Sequence, residues 1–516
     1  MRPSVAVVPF GATGPDRRTG AFARQIARRL VLRLADESAI EIRPVFLVSV
    51  PEESNTEGYV VIGSTPDPDL AAGYGASLGA SHALVGTLRN AVERSLEVSL
   101  VDVSAKTAVR AESLPIPAGE LQQVEPALAG WLGHALALEL ADPRTPAATT
   151  EPAYAALLLG MEAELNAALL ASGSAETAVE AKLEALERYA ECLREDPSCD
   201  AAEERLLVMA AESLGTGLED RHIAALESLC EVRRSWKGHY LLGELRRSTG
   251  DASGAVVALE HSDALHPLGP EAAVRLAELY LEAGAERSAA ARLRRVRRAL
   301  GSYAPADTRL LLARALIRIG EREDAQVELE LIIASEGPGA AAANARRLRL
   351  GLAHPDLERV LERAGSLALE APDGSLDAAR TAFEDVLAAD PGLWEAHFGL
   401  GLIARRRGDA EGAMLAFRRA LDLWPAHPDA THELGVTLLM AGSTEDAART
   451  LDLASGSRPD DFGYLADAGL AQLRAGRLDE ARQRLERAAA MEPTDPITRA
   501  YLAELERVEA EIGKGR

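Results

Sequence analysis

The stretch WEAHFGLGLIARRRGDAEGAMLAFRRALDLWP, residues 394–425, decides the fold. Leu400-Gly401 stands in its first half, Gly408-Asp409 at its centre, Ala413, Phe417 and Ala420 along its second half, and Pro425 closes it. The same offsets return as Leu434-Gly435, Gly442, Ala447, Leu451, Ala454 and Pro459, then as Ala468-Gly469, Gly476, Ala481, Leu485, Ala488 and Pro493. With Pro391 ahead of them, the prolines form a ladder with a 34-residue step. Small residues let two helices approach closely and large apolar ones fill the space between them. Glycine ends the first helix, and proline cannot continue the second. Each unit therefore reads as a helical hairpin, and a repeat of this length marks a stacked array.

These three units closely resemble tetratricopeptide repeats, and looser copies precede them. Leu242-Gly243, Gly250-Asp251, Ala255, Leu259 and Pro267 form one; Leu276-Ala277, Tyr280, Gly284, Ala289, Leu293 and Gly301 another; Leu312-Ala313, Gly320, Ala325 and Leu329 a third. Residues 153–233 read as two degenerate pairs, and 336–372 leave the register where Gly337-Pro338 and His354-Pro355 interrupt it. Pro496 to Ile512 reads as a capping helix, so repeats are expected over 153–495, with a cap and tail over 496–516.

Residues 1–140 follow a different rhythm. Val5 to Phe10 is a short apolar run closed by the turn-rich Gly11 to Asp16, and Thr19 to Leu34 has helical spacing with Phe22, Ile26, Leu30 and Leu34 on one face. A second strand is expected over Ile40 to Val50, a polar loop at Glu52 to Glu57 and a helix near Asp69 to Leu78. Three strands follow at His82 to Arg89, Leu96 to Asp102 and Thr107 to Leu114, then a last helix over Leu121 to Leu140. The order predicts a two-layer α+β domain, and Asp142 to Pro152 reads as a linker. The runs Val5-Ala6-Val7-Val8-Pro9-Phe10, Leu78 to Arg89 and Leu100-Val101-Asp102 are similar to the TolB-like amino-terminal domain of bacterial tetratricopeptide proteins. The fold class expected is thus a two-layer α+β domain followed by an all-α tetratricopeptide superhelix, an α-solenoid.

A formal net charge of −24 over 516 residues argues against general binding to nucleic acid or to an anionic membrane. No run of about 18 apolar residues is evident, so no membrane span is expected. The first residues lead straight into a strand without an apolar leader region. Three cysteines, Cys192, Cys199 and Cys230, make neither a disulfide framework nor a metal spacing. A reduced, cytoplasmic setting is the expectation.

Motifs for chemistry fail their contexts. The loop Phe10 to Thr19 lacks the Gly-Lys-Ser/Thr of a phosphate loop, and Gly73 to Gly79 lies within a helical stretch and not after a strand. His261 with His266, and His427 with His432, lack the helical metal spacing, and no nucleophile elbow occurs. The run Arg292, Arg294, Arg295, Arg297, Arg298 reads as a solvated face, with an anionic-partner site as the minority reading. No enzyme activity, catalytic residue, metal or cofactor is expected.

The tetratricopeptide resemblance implies that the first helix of each pair lines a concave groove. Repeat offsets then place Phe398, Leu402, Arg405 and Arg406 there, followed by His432, Val436, Leu439 and Met440, and by Leu470, Leu473 and Arg474. Packing between repeats is an equal reading for Leu402, Val436 and Leu470. An apolar floor edged by arginines would suit a protein segment carrying apolar and acidic groups. Groove asparagines of a terminal-carboxylate clamp are absent, since asparagine occurs only at Asn55, Asn90, Asn166 and Asn344. The function expected is a non-catalytic protein–protein adaptor or scaffold. The alternative is a regulatory or sensory subunit acting in trans with a bacterial kinase, cyclase or transcription regulator.

Overall fold

The computed structural model describes residues 2–14, 16, 18–45, 67–90, 93–140, 146–171, 175–370, 376–425 and 427–514. Two compact units, Met1–Leu268 and Gly269–Arg516, divide the chain. The expected loop at Glu52 to Glu57, the end of the expected strand beyond residue 45 and the first part of the expected linker lie outside the described residues.

The first unit opens on a mixed sheet of β1 (Ser4–Val7), β2 (Gly11–Thr13), β3 (Glu41–Pro44), β4 (His82–Asn90), β5 (Arg94–Asp102) and β6 (Thr107–Pro115). The order is β3-β1-β4-β5-β6, with β2 pairing the far end of β4. β1 runs parallel to both β3 and β4, β2 runs parallel to β4, and β4-β5-β6 is an antiparallel meander. Gly11-Ala12-Thr13, expected as a turn, is therefore a strand, because β4 extends far enough to offer it partners at Thr87, Leu88 and Arg89.

Alternation along the strands sends Val5, Val7, Leu96, Val98 and Leu100 to one face, where α1 (Arg18–Arg33) and α3 (Val124–Leu136) cover them. Ala6, Val8, Val85 and Val101 point the other way, against Ala71 and Ala72 of α2 (Pro68–Ser77). To the two expected layers α2 thus adds a partial third. Gly75, from the stretch that imitates a dinucleotide fingerprint, lies where a Cβ would strike Val103, so its role is close helix–sheet packing.

Six helices complete this unit: α4 (Glu151–Leu170), α5 (Ala175–Glu195), α6 (Asp200–Glu212), α7 (Glu219–Val232), α8 (Trp236–Ser248) and α9 (Ala252–Leu265). One apolar core runs from the sheet into them. Glu125, fully buried, receives Arg29 at 3.2 Å, Arg33 at 3.5 Å and the Tyr154 hydroxyl at 3.3 Å, which ties α1, α3 and α4 together. Ala147 and Thr149, within the expected linker, are pinned by the Cys199 thiol (3.1 Å) and by Asp196 (2.6 Å). Helix α4 is long and apolar enough to cross a bilayer, a property the sequence reading missed. Burial of its Ala153, Tyr154, Leu157, Leu158 and Met161 accounts for that apolarity within the fold.

The second unit contains α10 (Pro270–Glu282), α11 (Glu286–Leu300), α12 (Ala306–Arg318), α13 (Arg322–Ser335), α14 (Ala340–Ala353), α15 (Pro355–Glu370), α16 (Leu376–Ala389), α17 (Trp394–Arg406), α18 (Ala410–Leu423), α19 (Pro428–Met440), α20 (Thr444–Ser457), α21 (Phe462–Arg474), α22 (Leu478–Met491) and α23 (Pro496–Lys514). The unassigned segment 336–372 carries α14 and then α15, and α15 is the first helix of a pair with α16. Helix α14 is held from a distance: Asp390 receives Arg346 at 3.2 Å and Arg349 at 2.5 Å.

Within each hairpin the close approach is the same. A Cβ at Gly401 would stand 2.5 Å from the Phe417 ring, and at Gly435 or Gly469 it would stand 2.6 Å from Leu451 or Leu485. The turn glycines Gly408, Gly442 and Gly476 have φ of 76°, 83° and 80°, which a side chain would strain. First helices of successive pairs touch one another, α15 to α17, α17 to α19, α19 to α21 and α21 to α23.

Two outcomes are expected. Gly435→Val forces a branched side chain into Leu451, which has no room to yield, and costs about 2 kcal/mol; urea titration should show a lower midpoint, and an unchanged midpoint refutes the close-approach account. Glu151 accepts from Arg94 at 2.7 and 2.9 Å, and these bonds, foremost, hold its carboxyl below the usual range. The native state then binds fewer protons than the unfolded one, so stability from this group is present above about pH 4.5 and lost as pH falls through the depressed native value. Glu151→Gln should flatten that acid-side slope, measured as melting temperature against pH.

Candidate functional site

The start of α17 is fixed before its side chains are placed. Asp390 accepts from the Gly392 amide at 2.9 Å while holding Arg346 and Arg349 of α14, so the turn into Trp394 is set by charges that come from outside the hairpin. Trp394 packs edge-on to Trp424 (5.1 Å between ring centroids) and lies 4.1 Å from His427 and 5.8 Å from Phe398. Phe398 in turn meets Phe417 at 5.7 Å. His427 caps α19 through Nδ1, and burial lowers its pKa despite Asp429 nearby.

A cleft of about 220 Å³ opens between α15 and α17. Leu361, Phe383, Trp394, Phe398 and Leu402 form its apolar walls, with Arg347, Glu362 and Glu395 as its charged groups. Gly399 forms part of the floor because Phe383 occupies the space its Cβ would need.

The apolar residues expected in the groove divide into three kinds. Phe398 and Leu402 line this cleft, Leu402 at 4% exposure. Leu473 is buried at 6%, packed with Leu465 and Leu505, while Val436, Leu439 and Leu470 are partly buried against the neighbouring repeats. Met440 is 67% exposed.

The polar members are engaged within the chain. Arg405 lies 2.9 Å from Glu433, out of line for a hydrogen bond, and burial pushes the Glu433 carboxyl above its usual range even with Arg405 beside it. Arg406 donates at 3.0 Å to the Ala368 carbonyl near the end of α15. His432 meets Asp467 at 3.0 Å and stacks on Tyr464 at 4.2 Å, and Arg474 pairs with Glu504 at 2.8 Å. Tyr464 donates to Asp429 at 2.5 Å, so a line of polar contacts joins α19, α21 and α23.

Sequence reasoning missed Glu395 and the α15 side of the cleft. An acid in the first turn of a helix is ordinary there, so only its position directly after Trp394, on an otherwise apolar entrance, marked it. The arginine run of α11 sits on α13, with Arg294 2.5 Å from Asp324 and Arg297 3.3 Å from Glu328. His266 stacks on Trp236 at 4.5 Å. Among the described residues no group of three or more His, Cys, Asp or Glu side chains is arranged to hold a metal ion.

Two family models, each described as tetratricopeptide repeat, match residues 365–428 and 404–473. Similar solved structures include PilW, a widely conserved type IV pilus biogenesis factor, at 20% identity and a TM-score of 0.26, covering 45% of this chain and 98% of that one. YrrB, a TPR protein with an unusual peptide-binding site, is 16% identical with a TM-score of 0.25 over 40% of this chain and 95% of its own. MamA from Desulfovibrio magneticus RS-1 is 17% identical with a TM-score of 0.25 over 37% and 97%. No curated protein matches the chain in sequence. Residues 365–473, which include Trp394, Phe398 and Leu402, are tetratricopeptide repeats.

Proposed function

We propose that the chain is a non-catalytic adaptor that holds a segment of another protein against the face formed by its first helices, centred on the cleft between α15 and α17. One observation carries this reading: an open apolar cleft, walled by Trp394, Phe398 and Leu361, stands on a face whose arginines are otherwise engaged by the chain itself. Aromatic walls in a concave setting are the usual anchors of protein recognition. Tetratricopeptide repeats as a family are protein-interaction modules and generally not catalytic, which agrees with the reading at that coarse level. An acidic partner group would have to displace Glu433 from Arg405 or Glu504 from Arg474. The apolar half of the expected ligand chemistry is therefore the half we retain.

The amino-terminal sheet, with its strand and helix order β1-β2-α1-β3-α2-β4-β5-β6-α3, supports our further proposal that residues 1–140 are a TolB-like domain. Free thiols at Cys192, Cys199 and Cys230 support a reducing, cytoplasmic location.

Phe398→Ala strips one wall of the cleft and should weaken partner capture at least about tenfold, the size of a hot-spot loss. Quantitative co-purification from the source cell, with helix content checked by circular dichroism, reads this out; an unchanged set of captured proteins overturns the reading. Arg405 and Glu433 should instead behave as structural partners. A double-mutant cycle of Arg405→Ala with Glu433→Gln is expected to give a coupling of about 1 kcal/mol, discounted for their partial exposure. Neither single variant should alter the captured set, and loss of partners with Arg405→Ala would return that arginine to the binding site.

A further inference from the structure

The cleft between α15 and α17 carries an acid that its own chain answers only in part. Glu395 Oε2 is buried and has no hydrogen-bond partner. Burial pushes the carboxyl above the usual range, against the pull of its own backbone amide, of Arg347 and of the Trp394 side chain. Among the described residues Arg347 is the one cation lining the cleft, and it is already divided between Glu358 at 3.5 Å and Glu362 at 3.0 Å. Of the two carboxylates in the lining, Glu362 thus holds the guanidinium by an ion pair and Glu395 does not. A desolvated carboxylate oxygen without a donor is costly, and the donor that repays most is a cation.

We propose that this cleft is a subsite for one lysine or arginine side chain of the bound protein segment, its aliphatic stem lying along Trp394 and Phe398 and its charged head donating to Glu395 Oε2. The inference rests on the protein-binding reading above and adds the sign of the partner's charge, opposite to what the arginines of the groove implied. Three features fit a long basic side chain. A volume of about 220 Å³ admits a side chain and excludes a helix. Aromatic walls suit both the methylene stem and the cation. The acid sits beneath those walls, where a short polar side chain would leave them bare.

The test is selection of binders to the purified full-length protein from a displayed library of random ten-residue peptides. Wild type is compared with Glu395→Gln, which keeps the shape, and with Asp422→Asn, which removes an exposed acid of α18 paired with Arg419. Wild type and Asp422→Asn should enrich peptides with lysine or arginine at one position beside apolar residues, and Glu395→Gln should enrich peptides without that preference. A lysine peptide selected on wild type should bind Glu395→Gln at least about tenfold more weakly. Enriched peptides with no basic position, or a basic position that survives Glu395→Gln, refute the subsite and leave the protein-binding reading standing. If no variant enriches any peptide, the binding reading fails and the subsite with it.

Discussion

The hairpins from α17 to α22 depend on one steric fact: at Gly401, Gly435 and Gly469 the first helix of a hairpin has no Cβ, and the second helix sets Phe417, Leu451 or Leu485 into the vacancy. Helices that close lock at a fixed distance and angle, so each hairpin has nearly the same shape and the next can stack on it in the same way. The apolar interior follows suit. It is not one core but a succession, with separate clusters about Phe383, about Phe417 and Leu451, and about Leu485 and Leu505. Because stability is local in such a stack, a cleft between two neighbouring first helices costs only the contacts of those two.

What the sequence revealed follows from the same locality. The offsets of small residue, turn glycine and closing proline are set within one hairpin, and the pairs α17–α18, α19–α20 and α21–α22 are readable from their own residues. Helices α14 and α15 were not, because α14 is placed by Arg346 and Arg349 reaching Asp390, some forty positions further along the chain. The partners of the groove arginines within the chain were hidden for a related reason. Arg405 and Arg474 meet acids of the following first helix, Glu433 and Glu504, which occupy offsets that carry no repeat signature. In the first unit the alternating strands were legible, whereas β2 was hidden by turn-forming residues that β4 overrules through backbone pairing.

Charge on the face of the first helices is therefore a problem of partners and not of composition. A net charge of −24 says little about any one place on the surface. Arginine after arginine finds a carboxylate in the next repeat, and these pairs serve as struts between first helices that already touch. Between α15 and α17 Arg406 reaches the Ala368 carbonyl, and beside that contact the face opens onto aromatic walls and Glu395, whose Oε2 has no hydrogen-bond partner. Geometry that satisfies most charges makes a buried oxygen without a donor informative, as at Glu395 and at Glu433, since such burial is disfavoured.

The first unit obeys a different constraint. Its apolar core is continuous from Val5 in the sheet to Ala258 in α9, and Glu125 at zero exposure is bound on three sides by Arg29, Arg33 and Tyr154. A carboxylate buried that deeply is tolerable only while its cations and the hydroxyl stay in place. The sheet domain and α4 are consequently locked to one another: separating them would strip the Tyr154 hydroxyl from Glu125 and leave the inward face of α4 without partners. The expected linker before α4 is thus no hinge in the described residues, with Ala147 and Thr149 bonded to Cys199 and Asp196 at the α5–α6 turn. Sheet and first helices share one fold, and whatever the sheet contributes to binding it contributes as part of that rigid body.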